Sequence, residues 1–222
     1  MILIFVVTLI ATLGIQFYLR RTYTQWKAVA NTSSLTGFET ARAILDANGL
    51  HDVKVEAVPG QLSDHYDPRS RVVRLSEENY HRASVAGAAV AAHEVGHALQ
   101  HAKAYTPLQI RASLVPVANI GANFGPWIII AGAMFGAFGL VQVGLLLFAA
   151  AVLFQLVTLP VEFDASRRAK LEMQNLGLAT SGDIAGSSKV LNAAALTYVA
   201  AAASSVAYLL YYLSAFMGGS DE

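Results

Sequence analysis

Cysteine is absent from all 222 residues, so the chain can build neither a disulfide nor a thiolate metal site, and any soft divalent ion must be held by histidine and carboxylate. Charge is scarce as well. Asp, Glu, Lys and Arg make up 14% of the residues, against about 25% in an ordinary soluble domain. Fifteen basic and 15 acidic residues cancel to a net charge of zero. There is no basic helix and no basic run interleaved with aromatics, which argues against nucleic acid as a partner. Basic residues are also missing from particular places: none precedes Arg20, none lies between Arg111 and Arg167, and none follows Lys189.

Apolar residues fill those places. Ile2 to Leu19 is long enough to span a bilayer and is followed at once by Arg20-Arg21 and then Lys27. A cleavable signal peptide would carry its positive charge on the other side and end in a small-residue cleavage site, so this stretch reads as an uncleaved anchor with its N-terminus outside. The run from Ala112 to Leu159 is too long for one span and sufficient for a hairpin of two, with Gly136 to Gly139 as the turn. A last run covers Val190 to Met217. The segregation of Lys and Arg then predicts four spans, both termini outside, including the acidic tail Asp221-Glu222, and both polar segments in the cytoplasm. Pro116, Asn119, Asn123 and Pro126 are expected to interrupt the second span and place its first half at the interface or against a protein-lined cavity.

The polar segment after the anchor alternates helix and strand signals. Phe38 to Asn48 has helical spacing and stops at Gly49, and Val53 to Val58 alternates like a half-buried strand ending at Pro59-Gly60. A polar turn is expected through Ser63-Asp64-His65-Tyr66-Asp67-Pro68, followed by a second strand, Arg71 to Leu75. That strand reads equally well as the rim of a cleft that holds an extended peptide or as half of a structural hairpin. Ser76-Glu77-Glu78 supplies a cap and an acidic first turn where the next helix is expected to begin.

That helix carries His93-Glu94-Val95-Gly96-His97. An α-helix turns about 100° per residue, so residues i and i+4 share a face: both imidazoles can reach one zinc ion, with the Glu94 carboxylate beside the water it activates. The neighbours, Ser84 to Ala92, are nearly all small and apolar, which implies burial. Unpaired buried His and Glu are costly, and a metal removes the difficulty. Zinc needs a third protein ligand. His101 continues the spacing but lies about 12 Å along the helix from His93, too far to share one ion. His51, His65 and His81 remain open, His65 being the least bland of them. Glu162 is the better candidate, because it stands where the chain re-enters the cytoplasm from the third span, on the same side as His93 and His97. A solvated carboxylate at a helix start would account for it equally well.

The anchor followed by arginines, Ser63 to Arg69, Val73-Arg74-Leu75-Ser76, Ala91 to Ala98, Pro116-Val117-Ala118-Asn119, the Glu162-Phe163-Asp164-Ala165-Ser166-Arg167-Arg168-Ala169 segment and Ala193 to Ala201 together resemble the YugP-like neutral zinc metallopeptidases of bacterial membranes, and more distantly the HtpX-like proteases. The likeness extends over nearly the whole chain. It implies a mostly α integral membrane protein of about four transmembrane helices with a small α+β zincin-like cytoplasmic catalytic domain. It also implies a gluzincin: one zinc ion on His93, His97 and Glu162, with Glu94 as the catalytic acid/base. HtpX-like proteins carry an Asp four residues after the ligand Glu, to orient a ligand histidine. Here that position is Ser166, whose hydroxyl accepts an imidazole N–H more weakly. Arg167, Arg168, His101 and Tyr66 are candidates for oxyanion stabilisation, and the arginine pair reads as well as a phospholipid-headgroup anchor.

The division expected is an anchor over 1–19, a cytoplasmic domain with the motif helix over 20–111, a transmembrane hairpin over 112–159, a cytoplasmic segment with the third ligand over 160–189, a span over 190–217 and a tail over 218–222. The function that follows is a zinc-dependent endopeptidase in the bacterial cell membrane, cleaving membrane or membrane-adjacent polypeptides at the cytoplasmic surface. The competing readings are a non-catalytic zinc-binding scaffold and an intramembrane protease. Arg82 and Lys103 bound the motif helix too closely for the latter.

Overall fold

A computed structural model describes residues 1–217; the acidic tail Asp221-Glu222 lies outside the described residues. The chain is mostly helical, 75% by residue, with one small sheet. In order the elements are α1 (Ile2–Lys27), α2 (Gly37–Ala47), β1 (Lys54–Val58), β2 (His65–Asp67), β3 (Val72–Ser76), α3 (Glu77–His81), α4 (Val85–Ala102), α5 (Thr106–Met134), α6 (Phe138–Asn175) and α7 (Ser181–Met217). They divide into two compact units. One holds Met1–Ile15, Thr106–Pro160 and the chain from Thr197 on; the other holds Gln16–Tyr105 and Val161–Leu196.

Among the described residues four helices, α1, α5, α6 and α7, are long and apolar enough to cross a membrane, and the motif-bearing α4 is not one of them. The expectation that prolines and asparagines interrupt the second span is corrected, since α5 runs unbroken through Pro116 and Pro126 from Thr106. Helices in apolar surroundings tolerate such residues where the freed polar groups find partners nearby. Asn123 satisfies itself by donating from Nδ2 to the Asn119 carbonyl at 2.8 Å.

The first unit is held by backbone proximity and a small aromatic core. Gly136, at φ +66°, makes the turn between α5 and α6. A Cβ on Gly121 would collide with the backbone carbonyl of Leu147, and one on Gly144 would stand 2.8 Å from the Ile129 nitrogen. Such close approach brings the two backbones into van der Waals contact over many atoms. Ile129, Val141, Leu145, Phe148 and Val152 pack with Tyr212 of α7, whose ring meets Phe148 edge-on at 5.9 Å.

The second unit is built on the sheet, ordered β1-β3-β2. β1 pairs with β3 in parallel, Val55 opposite Val73, and β2 pairs antiparallel on the other side, Tyr66 opposite Val73. The polar turn expected over Ser63 to Pro68 therefore contains a strand. Because β2 takes the outer position over Val72–Arg74 and β1 pairs with β3 along Val72–Ser76, Val72–Arg74 have no free edge on which to receive a peptide, and the rim role expected of the strand is corrected. Val73 and Leu75 are buried against Ala41, Ile44 and Leu45 of α2 and Ala88 to Leu99 of α4. Thr36 and Glu39 cap α2 reciprocally, and Gly49, at φ +72°, ends it. The motif helix begins later than expected. Glu77 to His81 form the separate helix α3, and α4 starts after Ser84, whose Oγ accepts the Gly87 N–H at 3.0 Å.

Replacing Gly121 by leucine is expected to separate α5 from α6 and to cost about 1–3 kcal/mol, read as a lowered unfolding temperature of the purified protein in detergent.

Candidate metal centre

α4 is buried on nearly every side because its residues are small: Ala88, Ala89, Ala91, Ala92, Val95 and Ala98 all lie in the core. Within that helix His93 and His97 project from one face, one turn apart, their ring centroids separated by 4.8 Å at an interplanar angle of 83°. α6 brings the third group. Glu162 Oε2 lies 3.3 Å from His93 Nε2 and 3.7 Å from His97 Nε2. One donor atom from each of the three residues falls within 4.8 Å of the other two, and among the described residues no other group of three His, Cys, Asp or Glu does so. Glu162 is 3% exposed and Glu94 8%.

A further glycine-dependent contact sets this distance. A Cβ on Gly96 would stand 2.6 Å from the carbonyl oxygen of Ala165, so only glycine lets the backbone of α6 come close enough for Glu162 to reach the histidines. Val161, Ala165, Ala169 and Met173, spaced by four along α6, are buried on the same side.

Each imidazole is oriented from behind. His97 Nδ1 faces Gln100 Oε1 at 3.0 Å, and Gln100 Nε2 donates to the Val161 carbonyl at 2.8 Å and to Asp164 Oδ2 at 3.0 Å. Both partners of Nε2 are acceptors, so the amide cannot flip, and Oε1 must accept. His97 Nδ1 therefore donates to Gln100 Oε1, and Nε2 faces Glu162. His93 Nδ1 lies 3.1 Å from Ser166 Oγ. A hydroxyl can donate or accept, so Ser166 holds the tautomer of His93 less firmly than Gln100 holds that of His97. Gln100 is the residue that sequence reasoning missed. Its signal was present, since it stands three residues after His97 and so on the same helical face.

The other residues singled out in the sequence lie elsewhere. His51 pairs with Asp46 on the surface, the exposed His65 faces its own loop through the Ser63 carbonyl at 2.8 Å, and His81 packs edge-on to Tyr80. His101 Nδ1 meets the Tyr66 hydroxyl at 2.9 Å, outside the cluster. Arg167 and Arg168 are both committed to Asp164, and Arg168 also lies over the Tyr105 ring.

Burial pushes the Glu94 carboxyl above the usual carboxylate range, and the nearby Glu162 and Asp64 add to this, while His93 and His97 oppose it. At His97 burial favours the neutral ring, but the Glu162 carboxylate, as hydrogen-bond partner and as charge, prevails and raises the imidazole above its ordinary value. Two imidazole nitrogens and one carboxylate oxygen form a donor set suited to zinc, and three protein donors are the number used by catalytic rather than structural zinc sites. The residues fit the ion.

Gln100→Leu removes the acceptor behind His97 and is expected to weaken zinc binding by about 10–100-fold, measured by competition with a chromophoric chelator.

The family described as "Putative neutral zinc metallopeptidase" matches residues 1–217. The "Putative membrane protease YugP" of Bacillus subtilis (strain 168) is 47% identical over 224 residues, covering 99% of this chain and 100% of that protein. No solved structure matches. A match over the described length, together with that relative, establishes that the chain belongs to the neutral zinc metallopeptidase family.

Proposed function

We propose that this protein is an integral membrane zinc endopeptidase of the gluzincin type. It holds one zinc ion on His93, His97 and Glu162, and it hydrolyses peptide bonds of membrane or membrane-adjacent polypeptides at the cytoplasmic surface. The observation that carries the reading is the convergence of His93 Nε2, His97 Nε2 and Glu162 Oε2 beside a buried carboxyl, Glu94, that is not one of the three. A bound zinc ion supplies a Lewis acid for the scissile carbonyl and lowers the pKa of the attacking water. Glu94, its carboxyl shifted upward by burial, takes the proton from that water and delivers it to the leaving amine. Gln100 and Ser166 hold the two rings in place while this happens. A structural zinc site has no use for a spare carboxylate and closes its fourth position with a ligand.

The expected outcome for Glu94→Gln is retained zinc with caseinolytic or self-cleavage activity reduced by about 10²–10⁴-fold, whereas Glu162→Ala loses the metal. Full metal content in Glu162→Ala would remove it as a ligand, and full activity in Glu94→Gln would remove the catalytic assignment.

Four spans, cytoplasmic segments over 20–111 and 160–189 and an external N-terminus follow from the distribution of Lys and Arg. The lack of cysteine makes this directly testable, because an introduced thiol is the only one in the chain. Ser70→Cys is expected to react with a membrane-impermeant maleimide in inverted vesicles and not in intact cells, and Gly139→Cys the reverse.

A further inference from the structure

Where the apolar run of α1 ends, one face of the helix becomes polar. Arg20, Tyr23, Thr24 and Lys27 follow the i, i+3, i+4, i+7 pattern of a single face. With Gln61 and Leu62 from the loop between β1 and β2 they line a recess of about 260 Å³. The metal centre uses none of these six residues.

The charge around this recess is positive. The carboxylate that pairs with its lining, Glu78 of α3, is shared between Lys27 Nζ at 2.8 Å and Arg82 Nη1 at 3.2 Å. Asp64 is occupied from within, its oxygens receiving the Ser76 N–H, the Ser76 hydroxyl and the Asn79 amide. The Tyr23 hydroxyl donates to Asn79 Oδ1 at 2.7 Å. Three cations, Arg20, Lys27 and Arg82, thus stand against two carboxylates, Glu78 and Asp64, and only Lys27 and Arg82 pair with Glu78. Arg20 makes no ion pair or hydrogen bond among the described residues, whereas Arg167 and Arg168, the arginines that sequence reading offered as headgroup anchors, are both taken by Asp164. The side chains of Thr24 and Gln61 are neutral donors at the same recess.

Apolar surface adjoins this charge. Phe17, three residues before Arg20 on the same face, is 67% exposed, and Leu62 is 42% exposed. Leu62 also sits at φ +55°, in the left-handed region that a leucine rarely adopts. A strained backbone that presents an apolar side chain to the outside, beside an unpaired guanidinium, is a combination that folding of this unit does not require.

We propose that this recess binds the phosphate headgroup of an anionic phospholipid. Arg20 is its charged fork, Thr24 and Gln61 are additional donors, and Phe17 and Leu62 lie against the first acyl carbons. The inference rests on reading α1 as a membrane span. An anchor of this kind would fix the depth of the β1–β2 loop relative to the bilayer, and that loop leads directly into β2.

The test uses the full chain in detergent, titrated with dihexanoylphosphatidylglycerol, dihexanoylphosphatidylcholine and inorganic phosphate in separate calorimetric experiments. Saturable binding of the anionic lipid is expected, weakened about tenfold by Arg20→Gln and left unchanged by Arg21→Gln, which removes the same charge from another face of the helix. Equal loss in both variants would reduce the effect to general positive charge and overturn the site. Equal binding of the zwitterionic lipid would overturn its selectivity, and equal binding of inorganic phosphate would assign the recess to a free anion instead of a lipid. Alkaline carbonate extraction of cell membranes separates the two levels of the argument: a chain released by carbonate loses the membrane reading itself, whereas a chain retained in the membrane without Arg20-dependent binding loses only the recess.

Discussion

The backbone of α4 meets the backbone of α6 at Gly96, and the convergence of His93, His97 and Glu162 depends on that contact. Two of the three converging groups stand on one helix and the third on the other, so their spacing is fixed by how near two helix axes can come. A side chain at position 96 would meet the Ala165 carbonyl and carbon atoms within about 3 Å and hold Glu162 away. The glycine in the middle of the motif is therefore a geometric requirement of the site. The small residues along α4 serve the same end, since alanines on every side let β3, α2 and α6 all pack closely around a helix that must carry polar chemistry in its interior.

Proximity alone does not aim a lone pair. The two histidines are held with different firmness, and the difference follows from the chemistry of what stands behind them. Gln100 is fully buried, and because its amide nitrogen has two acceptors its oxygen has one possible role. Ser166 has no comparable constraint, as its hydroxyl rotates to suit whichever tautomer His93 adopts. Asp164, which points away from the metal-facing side, still takes part: it fixes Gln100 and is itself held by Arg167 and Arg168. A chain of hydrogen bonds thus runs from an exposed arginine through Asp164 and Gln100 to His97 Nδ1, charge-assisted where it passes Asp164.

The parts of this arrangement that were legible in the sequence are those set by local periodicity or by elementary charge rules. The histidine pair follows from helical spacing. The four apolar helices follow from length, and the turn at Gly136 and the helix stop at Gly49 from glycine placement. Strand order was not legible, because Lys54 to Val58 and Val72 to Ser76 look alike as half-buried strands, and nothing local says that the three residues His65 to Asp67 take the outer edge between them in sequence. Pro116 and Pro126 misled because a proline's cost in a helix depends on whether its freed carbonyl finds other partners, which the local sequence does not show. Ser76 and Ser84 are equally good caps by residue type, and the separation of α3 from α4 falls where Ser84 bridges Ala30, the Val85 N–H meets the Val29 carbonyl and Ser84 caps α4, contacts that no local pattern announces. Glu162 was balanced between two roles on its own residues, and only its position opposite the histidines separates a converging donor from a solvated helix-start carboxylate.

The centre is costly for the fold that contains it. Glu94, Glu162, His93 and His97 crowd four ionisable groups into a core otherwise made of alanine, valine and leucine, and burying such groups is unfavourable unless each is compensated. The pairing of Glu162 with both imidazoles compensates some of this, and Gln100 and Ser166 some more, but Glu94 is left with a raised affinity for its proton. Burial thus favours the protonated form of Glu94 more than it would for a carboxyl in water. The same incomplete compensation links the site's attraction for a divalent cation to the stability of the unit around it, because a cation placed among these donors offsets the repulsion between Glu94 and Glu162 and the cost of burying them.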